Sequence, residues 1–272
     1  MSLSKCVDHT VLILGALLMS APLVAVFFAT TQPPGAHPAN GLALLPGSAG
    51  LENYRDFLTT RAGFTGEITA SRMLVNSLIL GVGFAAVKVS LSLIAAYALA
   101  YFRVRGAGII FWVLMLSLML PLESRFLPTY AAASALGLVN THAGLILPLA
   151  ASGIGVLFFR GFLKSVPDTL TEAARLDGAG PIRFLTDMLV PLSVPMASAL
   201  FLVTFVNGWN QYLWPVVVTS DESLYTLIRG LQFYGDRSLQ GTMLALLGVI
   251  PPALLVILFQ RQVVKGLFDG SH

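Results

Sequence analysis

The chain has 272 residues, of which 56% are hydrophobic and only 11% are charged. A soluble globular domain carries about 25% charged residues, so a surface this poor in charge does not suit water, and the mean hydropathy of +0.81 agrees. The net charge of +3 comes from 16 basic and 13 acidic residues, which leaves no basic patch for nucleic acid. Composition therefore excludes an ordinary water-soluble enzyme, a disordered chain and a nucleic-acid-binding protein, and the single cysteine, Cys6, excludes an intramolecular disulfide framework.

Six apolar stretches are candidates to cross a membrane, since a transmembrane helix needs about 20 apolar residues. They are residues 10–29, 73–101, 109–128, 142–159, 192–219 and 242–259. The pattern predicts an all-α polytopic membrane protein, with one transmembrane domain over residues 1–272. The third stretch is the weakest, because Pro121, Glu123 and Arg125 interrupt its end. The first stretch is followed by a poor cleavage site, so we expect an uncleaved anchor and not a signal peptide.

The distribution of basic residues predicts that both termini are cytoplasmic. With the amino terminus inside, the cytoplasmic segments contain Lys5, Arg103, Arg105, Arg160, Lys164, Arg175, Arg183, Arg261 and Lys265. The longest outside loop is then residues 31–72. Within it, Leu51, Tyr54, Arg55 and Leu58 share one helical face, which predicts a short helix on the membrane surface.

Residues 160–190, between the fourth and fifth spans, are predicted to form two short cytoplasmic helices. Ser165 is expected to cap the first helix, with Asp168 completing a capping box. Gly178 is expected to end that helix, and Pro181 to open the next. A capped, bent loop of this kind suits the transmission of force from a soluble partner, although an ordinary connecting loop would need the same caps.

The same loop carries a motif of a known family. Residues 172–174 (Glu-Ala-Ala), then Gly178 and later Pro191, resemble the EAA motif of permease subunits of binding-protein-dependent ABC importers. The family pattern places an isoleucine and a leucine before the proline. Met188 and Val190 stand at those positions here, and both keep an apolar side chain.

The resemblance implies that this loop is the coupling helix that docks on a partner ATPase. The residues assigned to ATPase coupling are Glu172, Ala173, Ala174, Asp177 and Gly178. Three further segments, residues 119–125, 208–215 and 250–252, resemble the carbohydrate-uptake branch of the family, of the maltose permease type. Within that branch the chain resembles permeases for sn-glycerol-3-phosphate. A neutral sugar or oligosaccharide is the alternative ligand.

The resemblance also implies the partners. They are a second homologous permease in a heterodimer, two copies of an ABC ATPase, an extracytoplasmic solute-binding protein, a small-molecule substrate and the lipid of a bacterial cytoplasmic membrane. The chain has no G-x-x-x-x-G-K-[ST] phosphate loop, so ATP and magnesium are expected on the partner ATPase, with no cofactor here. Four scattered histidines and one cysteine predict no metal site, and no nucleophile and base pair indicates an enzyme. A secondary carrier is the competing class, but no internal repeat supports it.

Polar residues within the apolar stretches mark a candidate substrate path. Lys88 lies near the middle of the second span, where a lysine costs about 2.5–3.5 kcal/mol to insert, and no acidic residue is central in another span. Its partner could be cavity water, another subunit or an anionic substrate. Asn207, Asn210 and Gln211 share one helical face and could line a pore or join helices. The full set of path candidates is Lys88, Glu123, Arg125, Asn207, Trp209, Asn210 and Gln211.

Overall fold

The computed structural model describes residues 3–119, 122–234 and 238–268, which are almost entirely helical. In these ranges the helices are α1 (Leu3–Thr30), α2 (Gly50–Thr59), α3 (Ala70–Tyr101), α4 (Ala107–Met119), α5 (Leu122–Ala135), α6 (His142–Ile146), α7 (Gly153–Ser165), α8 (Asp168–Leu176), α9 (Pro181–Phe184), α10 (Val190–Trp209), α11 (Leu213–Val218), α12 (Leu227–Gly230) and α13 (Leu239–Phe268). A π-helical turn, Leu185–Leu189, joins α9 to α10. Two short strands, β1 (Arg61–Ala62) and β2 (Ile68–Thr69), form an antiparallel hairpin in which Arg61 lies opposite Thr69.

The described residues divide into two compact units. The first contains the chain up to Val75 together with Tyr225–Pro251, and the second contains Asn76–Leu224 together with the chain from Pro252. Helices α3 and α13 each contribute to both units.

Helix α2 confirms the helix predicted for the outer loop, and it anchors the first unit. Its inner face buries Phe57 among Ile68, Leu227 and Met243. The buried Asn53 side chain donates two hydrogen bonds of 2.8 Å to the carbonyl oxygens of residues 30 and 32, at the end of α1. Apolar packing and these two directional bonds together fix α2 against the end of α1.

The second unit contains two buried apolar clusters. One includes Phe159, Ala174 and Phe184, where α3 and α7 meet the loop predicted over residues 160–190, which is called the coupling loop below. The other surrounds Phe126 and Trp214, where α3, α5, α6 and α11 meet. These clusters position the two candidate sites described below.

Four helical stretches are long and apolar enough to cross a membrane: Val7–Thr30, Ala70–Tyr101, Pro181–Trp209 and Leu239–Arg261. A bent pair, His142–Leu149 and Gly153–Ser165, is a fifth candidate with an angle of 58° between its parts. The helices predicted at residues 10–29, 73–101 and 242–259 are confirmed. The predicted span 109–128 corresponds to α4 and α5 on either side of residues 120–121, which lie outside the described residues.

Two spans predicted as continuous helices, residues 142–159 and 192–219, are interrupted. In the first, helix stops at residues 150–152, and Ser152 caps α7 by accepting a hydrogen bond from the Gly155 amide at 3.1 Å. In the second, α10 ends at Trp209 and helix resumes only at Leu213. Hydropathy did not predict these breaks because the residues on both sides are apolar.

Candidate functional site

Two phenylalanine rings pack against two glycines where α3 and α10 meet. A Cβ atom built on Gly81 of α3 would lie 2.8 Å from Phe205 Cε2, and one built on Gly208 of α10 would lie 2.9 Å from Phe84 Cδ1. Real Cβ atoms do not approach other heavy atoms this closely, so each glycine provides the space that the ring of the other helix fills. This reciprocal packing brings the end of α10 beside the middle of α3.

A cavity of about 390 Å³ lies beside this contact, at the point where α10 breaks. Its lining includes the polar side chains of Lys88, Asn207, Asn210 and Gln211. The structure therefore brings together the four polar path candidates of the second and fifth spans. The prediction that the three amides share one face of a continuous helix is wrong, because α10 ends at Trp209 and the last two amides project from the break.

Lys88 is half-buried, and its charge is not neutralised by a carboxylate of the described residues. Its Nζ atom lies 4.3 Å from the centroid of the Phe84 ring, a cation–π contact. Arg125, on α5, precedes Phe126, whose side chain lines the same cavity. Arg125 Nε is buried without a hydrogen-bond partner. Two cationic groups therefore lie near one another beside a polar cavity, which favours an anion over a cation there.

The two other path candidates have different positions. Trp209 is fully buried, and its ring stacks on Phe205 with 5.7 Å between centroids. It belongs to the core beside the cavity and is not among the described side chains that line it. Glu123 lies on α5, and its side chain is outside the described residues.

The coupling loop forms the two predicted helices, α8 and α9, joined by a tight turn at Gly178. Gly178 has a φ of +71°, a left-handed conformation that disfavours other residues. Its amide donates to the Arg175 carbonyl at 3.1 Å, and the Ala179 amide donates to the Ala174 carbonyl at 2.9 Å. These bonds close the end of α8 as the glycine predicts.

The predicted cap at Ser165 is wrong. Helix α7 extends to Ser165, and the hydroxyl of this residue donates to the Phe162 carbonyl at 2.7 Å. Helix α8 begins at Asp168 after Pro167, with no side-chain cap. The apolar sequence of α7 continues its helix through Ser165, so the hydroxyl lies at the end of one helix and not at the start of the next.

The EAA residues face in two directions. Ala174 is 2% exposed and packs in the core of the second unit, whereas Glu172, Ala173, Asp177 and Gly178 are exposed. On either side of the turn, Leu176 and Ile182 are 89% and 79% exposed. Sequence reasoning missed these two side chains, although an apolar residue in an otherwise polar loop is a visible signal. Two exposed large apolar side chains in an otherwise polar loop make this loop a candidate surface for contact with another protein.

Comparison with known proteins identifies the family. Residues 88–269 match the family described as "Binding-protein-dependent transport system inner membrane component". The chain belongs to this family. It is therefore a multi-pass inner-membrane permease subunit of an ABC importer, a transport component and not an enzyme, whose family acts with an ATPase and a binding protein.

Curated relatives resemble this permease over nearly their whole length. The "sn-glycerol-3-phosphate transport system permease protein UgpE" of Brucella melitensis is 39% identical over 98% of this chain and 96% of its own. The protein of the same name from Escherichia coli K12 is 39% identical over 97% of this chain. A solved bacterial ABC transporter, involved in the import of the acidic polysaccharide alginate, has a chain with a TM-score of 0.76 and 19% identity, covering 96% of this chain and 98% of its own. That likeness confirms the ABC importer permease fold.

Proposed function

We propose that this permease forms half of the translocation pore of an importer for sn-glycerol-3-phosphate or related glycerophosphodiesters. The observation that carries the proposal is the cationic cavity, in which Lys88 meets amide side chains and no described carboxylate. A lysine inside a membrane span is costly and needs a compensating role. A phosphate ester supplies the missing negative charge, and its hydroxyl groups suit the amides. The full-length similarity to permeases named for sn-glycerol-3-phosphate transport supports the same ligand.

The proposal includes six membrane spans in one domain over residues 1–272, with both termini cytoplasmic. The interrupted helices supply the additional crossings: α4 with α5, and α6 with α7. The partners are a second homologous permease in a heterodimer, two ATPase copies that bind ATP and magnesium, and an extracytoplasmic binding protein. Helix α1 supports such an assembly, because none of its most apolar window is buried by this chain. That surface is available for lipid or for the second permease.

The coupling loop transmits the ATPase cycle in this proposal. Leu176 and Ile182 insert into the ATPase surface, while Ala174 packs against the membrane helices. Nucleotide binding then biases a two-state switch between inward-open and outward-open pores. Glu172, Ala173, Asp177 and Gly178 lie on the exposed side of the loop and complete the contact.

Substitution of Lys88 tests the proposed ligand path. In a reconstituted complex, we expect Lys88→Met to reduce uptake of sn-glycerol-3-phosphate at least tenfold, because the variant keeps the length of the side chain but removes the charge. Lys88→Arg keeps the charge and should retain most of the uptake. Lys5→Met, at an exposed lysine in α1, is the control and should behave as the parent.

Complex yield and ligand capture are measured on the same preparations. If Lys88→Met lowers the yield of assembled complex but not the uptake per complex, Lys88 lies at a subunit contact. That result would contradict its role in the path. Full uptake by an intact Lys88→Met complex would contradict the proposal as well.

A neutral sugar is the second candidate ligand, and the amide lining favours it. Asn207, Asn210 and Gln211 can each donate and accept hydrogen bonds, as sugar hydroxyls require. If a neutral sugar is the ligand, Lys88→Met should leave uptake of that sugar unchanged. The same set of variants therefore separates the two candidates.

A further inference from the structure

The carboxyl end of α3 is bonded to the chain on both sides of the coupling helix α8. The Tyr97 hydroxyl donates to the carbonyl of Pro181, the first residue of α9, at 2.9 Å. The Tyr101 hydroxyl donates to the carbonyl of Leu163, near the end of α7, at 3.2 Å. Leu163 precedes α8 in the chain and Pro181 follows it. One helix therefore holds both connections of the coupling helix through two directional bonds.

The tyrosine rings are also fixed by aromatic contacts. The Tyr97 and Tyr101 centroids lie 5.3 Å apart, and the Tyr101 ring meets the Phe184 ring edge-on at 5.4 Å. Because the rings are held in place, each hydroxyl has a defined position.

The contact between α8 and the membrane helices is narrow. Cavities of about 280 Å³ and 340 Å³ lie beside α8, and Tyr101, Thr171 and Arg175 line both of them. Ala174 is the only residue of α8 that the described structure buries fully. A single small apolar side chain packs without strong directionality, whereas a hydrogen bond weakens steeply as its angle changes. The two hydroxyl bonds add directional contacts to this packing, at the two connections of α8.

We infer that Tyr97 and Tyr101 are positioning residues that transmit the movement of the coupling loop to α3. The inference depends on the proposed coupling function of that loop. Lys88 lies on the same helix, nine residues before Tyr97 and thirteen before Tyr101. At about 1.5 Å per residue, the two tyrosines are about 14 and 20 Å from the level of Lys88. A rigid helix of that length carries a displacement of its cytoplasmic end to the cavity.

The double variant Tyr97→Phe, Tyr101→Phe tests this inference, because it keeps both rings and removes only the hydroxyls. ATP hydrolysis and ligand uptake are measured on the same reconstituted complex. We expect hydrolysis to stay within about twofold of the parent, while the ligand transported per ATP falls at least fivefold. Tyr54→Phe is the matched control, since it removes a hydroxyl that bonds the Thr30 hydroxyl at 3.1 Å, outside the coupling loop. Its transport per ATP should equal that of the parent.

An unchanged ratio of ligand transported to ATP hydrolysed in the double variant overturns the inference. A lower complex yield or melting temperature with an unchanged ratio also overturns it, because that result describes a structural role only. If the double variant does not assemble, the two single variants are measured, and unchanged ratios in both overturn the inference.

A further variant, Leu176→Asp, separates this inference from the proposed function. Suppose that the ATPase no longer co-purifies with Leu176→Asp, while the double tyrosine variant transports as much ligand per ATP as the parent. The loop then docks as proposed, and only the tyrosine linkage is wrong. If Leu176→Asp keeps full coupling, the docking proposal itself is wrong.

Discussion

Gly208 is one of the two glycines that set the approach of α10 to α3. Its missing side chain leaves room for the Phe84 ring, whose cation–π contact with Lys88 forms one wall of the cavity. An added methyl group must displace that ring, because the site has no free space for it. The geometry of the cavity therefore depends on a residue that has no polar group of its own.

We expect Gly208→Ala to destabilise the permease by about 1–3 kcal/mol, the usual cost of overpacking a core. Uptake should fall as well, because the displaced Phe84 ring moves against Lys88. Thermal inactivation in detergent and uptake by the surviving fraction measure the two effects. Gly15→Ala in α1 is the control, since a Cβ at that glycine meets nothing within 4 Å. Equal stability of the two variants would contradict the packing account.

Some candidate site residues could be predicted from the sequence, because the free-energy cost of placing a charge in an apolar span is visible there. Lys88 is conspicuous as a charge within an apolar run, and the structure places it in a polar cavity. Trp209 lies in a specific motif, yet its ring is buried beside Phe205. Leu176 and Ile182 stand out as apolar residues in a polar loop, but only the structure shows that their side chains face outward there.

At the scale of elements, the coupling loop exposes an apolar face, which we propose docks on the ATPase. Leu176 and Ile182 lie on either side of a turn whose backbone is fixed by the left-handed Gly178. A single charge in that face should oppose docking, because a buried and unpaired carboxylate is costly. Insertion of the permease should not change, since the side chain makes no core contact.

We therefore expect Leu176→Asp to reduce co-purification of the ATPase at least tenfold while membrane insertion stays normal. Leu51→Asp is a closely matched control, because Leu51 is also exposed, by 88%. It lies on α2, in the loop predicted to be on the opposite side of the membrane from the ATPase. Quantification of the ATPase in the purified complex gives the result. Normal recovery of the ATPase with Leu176→Asp would rule out docking through this face.

The helices were predictable to the extent that length and apolarity determine them. Helices α1, α3 and α13 are long apolar runs, and α8 ends where its glycine indicates. The breaks in α6–α7 and α10–α11 are not visible in the hydropathy, and tertiary contacts lie beside them. One such contact is the buried Trp214 side chain, whose Nε1 donates to the Gly144 carbonyl at 3.1 Å, across seventy residues of sequence.

At the scale of the whole molecule, α3 extends from the cationic cavity at Lys88 to the coupling loop at Tyr97 and Tyr101. In the proposed function, the cavity determines which solute passes, and the loop connects the pore to ATP hydrolysis on another subunit. The permease does not drive transport alone, because it contains no phosphate loop of its own for ATP. The complete importer is therefore the smallest system in which the proposed function can be measured.

The most direct test is uptake by proteoliposomes that contain this permease, the second permease and the ATPase, with the binding protein outside and ATP inside. We expect labelled sn-glycerol-3-phosphate to accumulate only when both the binding protein and ATP are present. An excess of unlabelled maltose should not reduce that uptake, because a neutral sugar does not satisfy the charge of Lys88. Uptake of a neutral sugar, with no uptake of sn-glycerol-3-phosphate and no effect of Lys88→Met, would contradict the account.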